Sequence, residues 1–316
     1  MAISSGLHVV LGATGGVGQR IAWMLAGQGA QVRAVNRGGH PVEGAATVEV
    51  KAADLTNRES ALAACQGASV VYHCAGAPYS QWATVFPIML DNIIAAASDA
   101  DATLVYTDNC YMYSPSAQPL TEDSPQQPIT RKGKVRKQLA DTLLAAHTQG
   151  RIRATIGRAS DFYGPGVRSS MVGEQVFDAL VRGKRVPWLG KLDVPHAFSY
   201  VDDFARGLTT LGAHDQALGQ VWHIPAAPAL TGREFLALAG DAAGVRVRPL
   251  PISGTMMRVL GLTTPVLRET RELLYEYNEP YLFDGSKYTS AFGGAPTPHT
   301  EAMRQTVAWY RERANV

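Results

Sequence analysis

Glycines 12, 15 and 18 stand at three-residue intervals in the run Gly12-Ala13-Thr14-Gly15-Gly16-Val17-Gly18. That spacing suits a backbone cradle for a pyrophosphate. Gly12 lets the chain turn tightly, Gly15 lets backbone N–H groups approach phosphate oxygens, and Gly18 lets the next helix sit close to the sheet. Thr14, Gly16 and Val17 complete the loop, and a helix N-terminus behind it faces the phosphate charge. The competing reading is an ordinary glycine-rich turn, and the flanking residues decide between them. His8-Val9-Val10-Leu11 reads as a buried parallel strand, and Ile21 and Leu25 suit a helix. Strand, glycine turn and helix together form a dinucleotide site.

The next strand indicates which dinucleotide. Gln31-Val32-Arg33-Ala34-Val35 ends at Asn36-Arg37-Gly38-Gly39. An NAD site places Asp or Glu here to bind the ribose 2′-OH. Neutral Asn36 does not repel a 2′-phosphate, and the Arg37 guanidinium can pair with one in a fork. The expectation is NADP. The alternative for Arg37 is a solvated loop arginine.

These residues need a scaffold, and the chain supplies an alternating one. Further strands are expected over 48–52, 70–73, 103–106 and 153–156, with helices over 57–64, 91–100 and 133–148. This alternation predicts an α/β, Rossmann-type doubly wound parallel sheet with right-handed crossovers and ligands at the carboxyl ends of its strands. After Ile156 the prolines and Gly164-Pro165-Gly166 break the pattern into short pieces. We expect a dinucleotide-binding domain over 1–160, with later returns such as 196–224, and a smaller, mainly substrate-binding region over 161–316.

Composition narrows the function. The 316 residues are 46% hydrophobic and 18% charged, with a net charge of +2. That balance gives no strong field for nucleic acid. No apolar stretch is long enough to span a bilayer, and residues 1–5 run straight into the first strand without room for a signal peptide. The expectation is a soluble cytoplasmic protein. Cys65, Cys74 and Cys110 lack metal-ligand spacing, and the eight histidines are scattered, so neither a disulfide framework nor a metal site is expected.

Several ordered motifs then carry a resemblance across nearly the whole chain. They are the glycine turn, Asp54-Leu55, His73-Cys74-Ala75-Gly76, the run Arg158-Ala159-Ser160-Asp161-Phe162-Tyr163-Gly164-Pro165-Gly166, and Tyr200-Val201-Asp202-Asp203. The tail adds Phe292-Gly293, Pro296, Glu301 and Trp309-Tyr310. Together they resemble the extended short-chain dehydrogenase/reductase family, in its NAD-dependent epimerase/dehydratase branch. The resemblance implies that Asp54 accepts from the adenine amino group and that Leu55 packs near the ring. It implies that Cys74, Ala75 and Gly76 line the adenosine and ribose path. It also implies a homodimer paired through helices 91–100 and 133–148.

The resemblance breaks at the catalytic set. The family uses Ser or Thr followed by Y-x-x-x-K. Here the ungapped overlay puts Asn109 at the Ser position, Lys132 at the Tyr position and Arg136 at the Lys position. A two-residue shift gives Thr130 and Lys134 instead; Gly133 favours the ungapped version. Arg136 stays protonated, so it can hold ribose hydroxyls but cannot exchange a proton. Lys132 can act as acid/base if burial beside Arg136 depresses its pKa, or stabilise an oxyanion as a cation. Asn109 can donate to the same oxygen, and Tyr111 or Tyr113 can replace the missing phenol. Cys110 invites a nucleophilic role, but no histidine base is adjacent in sequence, which favours an inert buried thiol.

Tyr79, Tyr113, Asp161 and Tyr163 are candidate pocket residues, and the region 259–281 adds Leu267, Leu273, Leu274, Tyr275 and Tyr277 as candidate walls. Three functions compete. The first is an NADP-dependent oxidoreductase acting on a small carbonyl or alcohol compound. The second is a sugar-nucleotide epimerase or dehydratase. The third is a non-catalytic NADP-responsive binding protein.

Overall fold

A computed structural model describes residues 5–45 and 47–314, apart from the side chains of residues 260, 265 and 266. Its centre is a parallel sheet with helices on both faces. The first half runs β1 (Leu7–Leu11), α1 (Gly16–Gly27), β2 (Gln31–Asn36), β3 (Glu49–Ala52), α2 (Arg58–Cys65) and β4 (Ala68–His73). It continues through α3 (Trp82–Asp99), β5 (Thr103–Asp108), α4 (Arg131–Thr148) and β6 (Arg153–Arg158). Shorter pieces follow: β7 (Asp161–Tyr163), α5 (Glu174–Val181), β8 (Val186–Leu189), β9 (Pro195–His196), β10 (Phe198–Tyr200), α6 (Val201–Gly212) and β11 (Val221–His223).

The seven-stranded sheet has the order β11-β6-β5-β4-β1-β2-β3. Side chains alternate along each strand, so one strand feeds two cores. Val9 and Leu11 pack with Val71, Leu104 and Ile93 on the α2, α3 and α4 face. Val10 packs with Ile21, Leu25, Val105 and Phe204 on the α1 and α6 face. β1 has β2 on one side and β4 on the other. The strand order reverses there, and the loops leaving β1 and β4 open a crevice.

α3 begins at Trp82, nine residues before the expected start at 91. Pro87 within it reads locally as a break. Trp82, Phe86, Met89, Leu90, Ile93 and Ala97 are all buried on one helical face, and that packing overrides the proline. β5 and β6 each run two residues past their expected ends. Asp108 and Arg158 are register partners there, and their side chains pair across the ladder. Among the described residues, no helix is long and apolar enough to cross a membrane.

The second half supplies a third core, which includes Tyr163, Phe177, Trp188, Phe198 and Phe235. It also brings a segment over the mouth of the crevice: helix Pro265–Thr270 followed by a tight 3-10 stretch, Arg271–Tyr277.

Candidate active site

A cavity of about 720 Å³ runs from the glycine turn to the segment 267–281. At its cofactor end, Gly12 has φ +81°, and a Cβ there would lie 2.6 Å from the Ala75 backbone. A Cβ at Gly18 would lie 2.5 Å from the Gly12 carbonyl oxygen. These two close approaches let the turn nest between β4 and α1. Gly15 is the N-cap residue of α1 and, like Gly16 and Val17, lines the cavity. Cys74, Ala75 and Gly76 line it from β4. Thr14 is exposed on the turn.

The adenosine end lies at β2 and β3. The side chain of Asn36 closes its own turn: Nδ2 donates to the His40 carbonyl, and Oδ1 accepts from the His40 N–H. Arg37 is left exposed. Asp54 is also exposed and accepts from the Thr56 N–H and hydroxyl. Those bonds, together with the Arg37 charge, hold its carboxyl below the ordinary range. Leu55 is buried, and its carbonyl accepts from Asn92.

α4 enters the crevice because residue 133 is glycine. A Cβ at 133 would lie 2.2 Å from the Tyr111 carbonyl oxygen. Thr130 caps the helix by accepting from the Gly133 N–H at 2.9 Å. The two cations on this helix then part company. Arg136 lines the cavity, stacked on Trp82 at 4.6 Å and Phe86 at 5.0 Å. Its Nη1 donates to the Tyr106 hydroxyl at 2.9 Å and lies 3.5 Å from Asp108. Its buried Nε has no hydrogen-bond partner among the described residues.

Lys132 departs from the expected placement. Its ammonium donates to the Glu269 carbonyl at 2.7 Å, the Glu269 carboxylate at 3.0 Å and the Glu272 carboxylate at 2.8 Å. These three acceptors tie α4 to the covering segment. The side chain is 4% exposed and is not part of the cavity wall.

Asn109 lines the cavity. Its Oδ1 accepts from the Tyr111 N–H, which leaves the amide NH₂ as a donor. Tyr111 and Tyr79 also line it, with hydroxyls 3.4 Å apart. Burial pushes the Tyr111 hydroxyl well above its usual value and the Tyr79 hydroxyl to about 12. That direction is opposite to the one an acid/base phenol needs. Cys110 lines the wall too, but burial pushes its thiol well up. The Cys74 thiol is pushed to about 12.

Two expected pocket residues lie elsewhere. Tyr163 is fully buried in the third core and bonds His299. Tyr113 is buried in a polar chain behind the sheet. Arg158 donates to its hydroxyl at 2.7 Å and to Asp108 at 2.9 Å. The Tyr113 hydroxyl in turn donates to His223 Nε2 at 2.7 Å, because His223 Nδ1 donates to the Asp284 carbonyl. Neither tyrosine reaches the cavity.

The substrate end contains groups that the sequence reading passed over. Asp161 lines it, as expected, with Oδ2 accepting from the Tyr277 hydroxyl at 2.5 Å and lying 3.1 Å from His196 Nε2. Glu276 joins it on the same wall, 1% exposed, with the Tyr275 hydroxyl donating to it at 3.1 Å. Burial, and then the Asp161 charge, push the Glu276 carboxyl well above the carboxylate range. Glu269, Glu272 and Glu276 stand at i, i+3 and i+7. That spacing was the available signal for a single acidic face.

The residues fit a nicotinamide dinucleotide. Side chains are excluded where the turn must be bare, a helix N-terminus stands behind it, and Arg136 leaves a buried N–H unsatisfied on the cavity wall. Comparison with known proteins agrees. The sequence model described as NAD dependent epimerase/dehydratase family matches residues 8–224. The uncharacterized protein y4nL of Sinorhizobium fredii is 24% identical, over 97% of this chain and 96% of that one. The dTDP-glucose 4,6-dehydratase DesIV of Streptomyces venezuelae, solved with NAD and TYD bound, superposes with a TM-score of 0.79 at 20% identity, covering 98% of each chain. The UDP-glucuronic acid 4-epimerase of Bacillus cereus, solved with UDP-glucuronic acid and NAD, gives 0.78 at 16% identity, covering 97% of this chain and 99% of that one. The chain therefore belongs to the NAD dependent epimerase/dehydratase family, as an enzyme of the extended short-chain dehydrogenase/reductase type with a nicotinamide-dinucleotide site.

Proposed function

We propose that the protein is an NADP-dependent oxidoreductase that moves hydride to or from a small, uncharged carbonyl or alcohol compound. The observation that carries this reading is the make-up of the cavity's substrate end. Asp161, Glu269 and Glu276 stand there among Tyr79, Tyr111 and Tyr281. Arg136 already faces Asp108, and Arg168 is exposed at the rim. A substrate pyrophosphate would find few unpaired cations there, whereas an aromatic wall with buried polar groups suits a neutral molecule.

The exposed Arg37 beside a side chain that closes its own turn supports NADP. No carboxylate ends β2, and the guanidinium is free to pair with a 2′-phosphate. When bound, the dinucleotide supplies or accepts hydride. Arg136 offers donors to its ribose, Asn109 offers an amide N–H to the substrate oxygen, and Lys132 anchors the segment that covers the site.

The second reading, a sugar-nucleotide epimerase or dehydratase, draws support from the full-length likeness to proteins solved with nucleotide ligands. The test is NADPH consumption with a panel of neutral aldehydes and ketones, set beside conversion of UDP-glucose and dTDP-glucose. NADPH consumption with neutral carbonyls alone is expected. Conversion of the nucleotides without added cofactor would overturn the proposal.

A further inference from the structure

The oxidoreductase reading requires a proton at the substrate oxygen, and none of the positions inherited from the family supplies it. Lys132 is held by three acceptors outside the cavity wall. Arg136 does not give up a proton in this pH range. Tyr79 and Tyr111 are buried among groups that oppose phenolate formation.

The substrate end of the cavity holds a different arrangement. His196 Nδ1 lies 3.0 Å from the Glu276 carbonyl oxygen, which can only accept, so Nδ1 carries a hydrogen. Its Nε2 lies 3.1 Å from Asp161 Oδ2. Two bare acceptors at that distance repel, so a second proton lies between them. Glu276 stands next to this pair, buried, with a tyrosine hydroxyl as its hydrogen-bond donor. The charged and titratable groups around it are Asp161 on β7, Cys110 beyond β5, and Tyr275 and Tyr281 of its own segment. His196 on β9 adjoins them through the Glu276 carbonyl. Glu276 and Asp161 line the same cavity as Tyr79 and as Asn109, Cys110 and Tyr111, which follow β5.

We propose that Glu276, supported by Asp161 and His196, is the acid/base that exchanges a proton with the substrate oxygen. This role rests on the oxidoreductase reading. In the reducing direction, the Glu276 carboxyl O–H breaks and its proton forms an O–H bond on the substrate oxygen. The C=O π pair moves onto that oxygen as the carbon gains hydride from a reduced nicotinamide dinucleotide, and the products are an alcohol and a Glu276 carboxylate. That carboxylate then takes a proton from solvent. Oxidation runs the same changes in reverse. Asp161 and His196 are positioning residues: their shared proton and negative charge set how readily Glu276 releases its own.

The test has two readouts on the full-length protein. Infrared spectra of the cofactor-free protein at neutral pH should contain the carbonyl band of a protonated carboxylic acid, and Glu276→Gln should abolish it. Asp161→Asn should keep the band but move its loss to lower pH, because a neighbouring negative charge that raises the Glu276 carboxyl has been replaced. With NADPH and the best neutral aldehyde, Glu276→Gln should lower kcat roughly 100-fold or more, with NADPH affinity unchanged as the check on folding. Glu276→Asp should recover part of the turnover. A band that survives Glu276→Gln, or turnover that does, overturns the role. Wild-type protein that reduces no neutral carbonyl would instead overturn the oxidoreductase reading, and this role with it.

Discussion

The two ends of the cavity are built by opposite means. The cofactor end is mostly backbone: a glycine turn, a helix N-terminus and two strand ends, all within the first 76 residues. The substrate end is mostly side chains, gathered from β7, β9 and the segment 267–281. The same contrast separates two buried acidic centres. Asp108 is opposed by the Arg158 guanidinium at 2.9 Å and lies 3.5 Å from Arg136, so two cations face its buried side chain. Glu276 has no salt-bridge partner among the described residues, and burial, then the Asp161 charge, push its carboxyl well above the carboxylate range. Within one cavity, the first centre locks strands together and the second stores a proton.

Removing the cation from the locked centre should have the largest effect. Arg158→Met leaves Asp108 and Tyr113 buried with fewer partners. It should cost about 3–5 kcal/mol of stability, read by chemical denaturation. A loss below about 1 kcal/mol would mean that Arg136 alone can hold Asp108.

Gly12→Ala tests the backbone-built end. The φ of +81° costs an alanine about 1–3 kcal/mol, and the Cβ clash with Ala75 adds to that. Both stability and dinucleotide affinity should fall. Affinity retained at wild-type strength would show that the turn does not cradle the cofactor.

pH should separate the two centres more gently. Burial holds His223 and His73 down at about 3, against an ordinary 6.5. The stability they contribute is present above pH 6.5 and is lost as the pH falls from there towards 3. Glu276 runs the other way. Its raised folded value gives stability that is complete below its ordinary 4.5 and declines as the pH rises through the elevated value. Melting temperatures across pH should therefore fall on both sides of a mildly acidic maximum. Glu276→Gln should flatten only the high-pH side. An unchanged profile in that variant would place Glu276 among ordinary carboxylates.

The contrast also explains what could be read from the sequence. The parallel sheet and the glycine turn follow local periodicity and residue spacing, so they were legible. The extra length of β5 and β6 was not, because Asp108 and Arg158 look like strand-ending polar residues until the register pairs them. Pro87 hid the start of α3 for a similar reason, since tertiary packing outweighs a local signal. Tyr113 and Tyr163 are aromatic residues in the expected region, and only the fold shows that their hydroxyls bond inward to Arg158, His223 and His299. Lys132 was legible as a candidate site cation at the start of α4 but not as the partner of Glu269 and Glu272, which lie about 140 positions away. Glu276 was missed because long-range contacts, not spacing, give it its protonation environment.

The most direct test of the proposed function is calorimetric titration of the purified protein with NADPH and NADH, in wild type and in Arg37→Ala. The account predicts that NADPH binds more tightly, and that Arg37→Ala weakens NADPH by about 1.5–3 kcal/mol, roughly ten- to a hundred-fold, while leaving NADH unchanged. Preference for NADH, or NADPH affinity indifferent to Arg37, would contradict it.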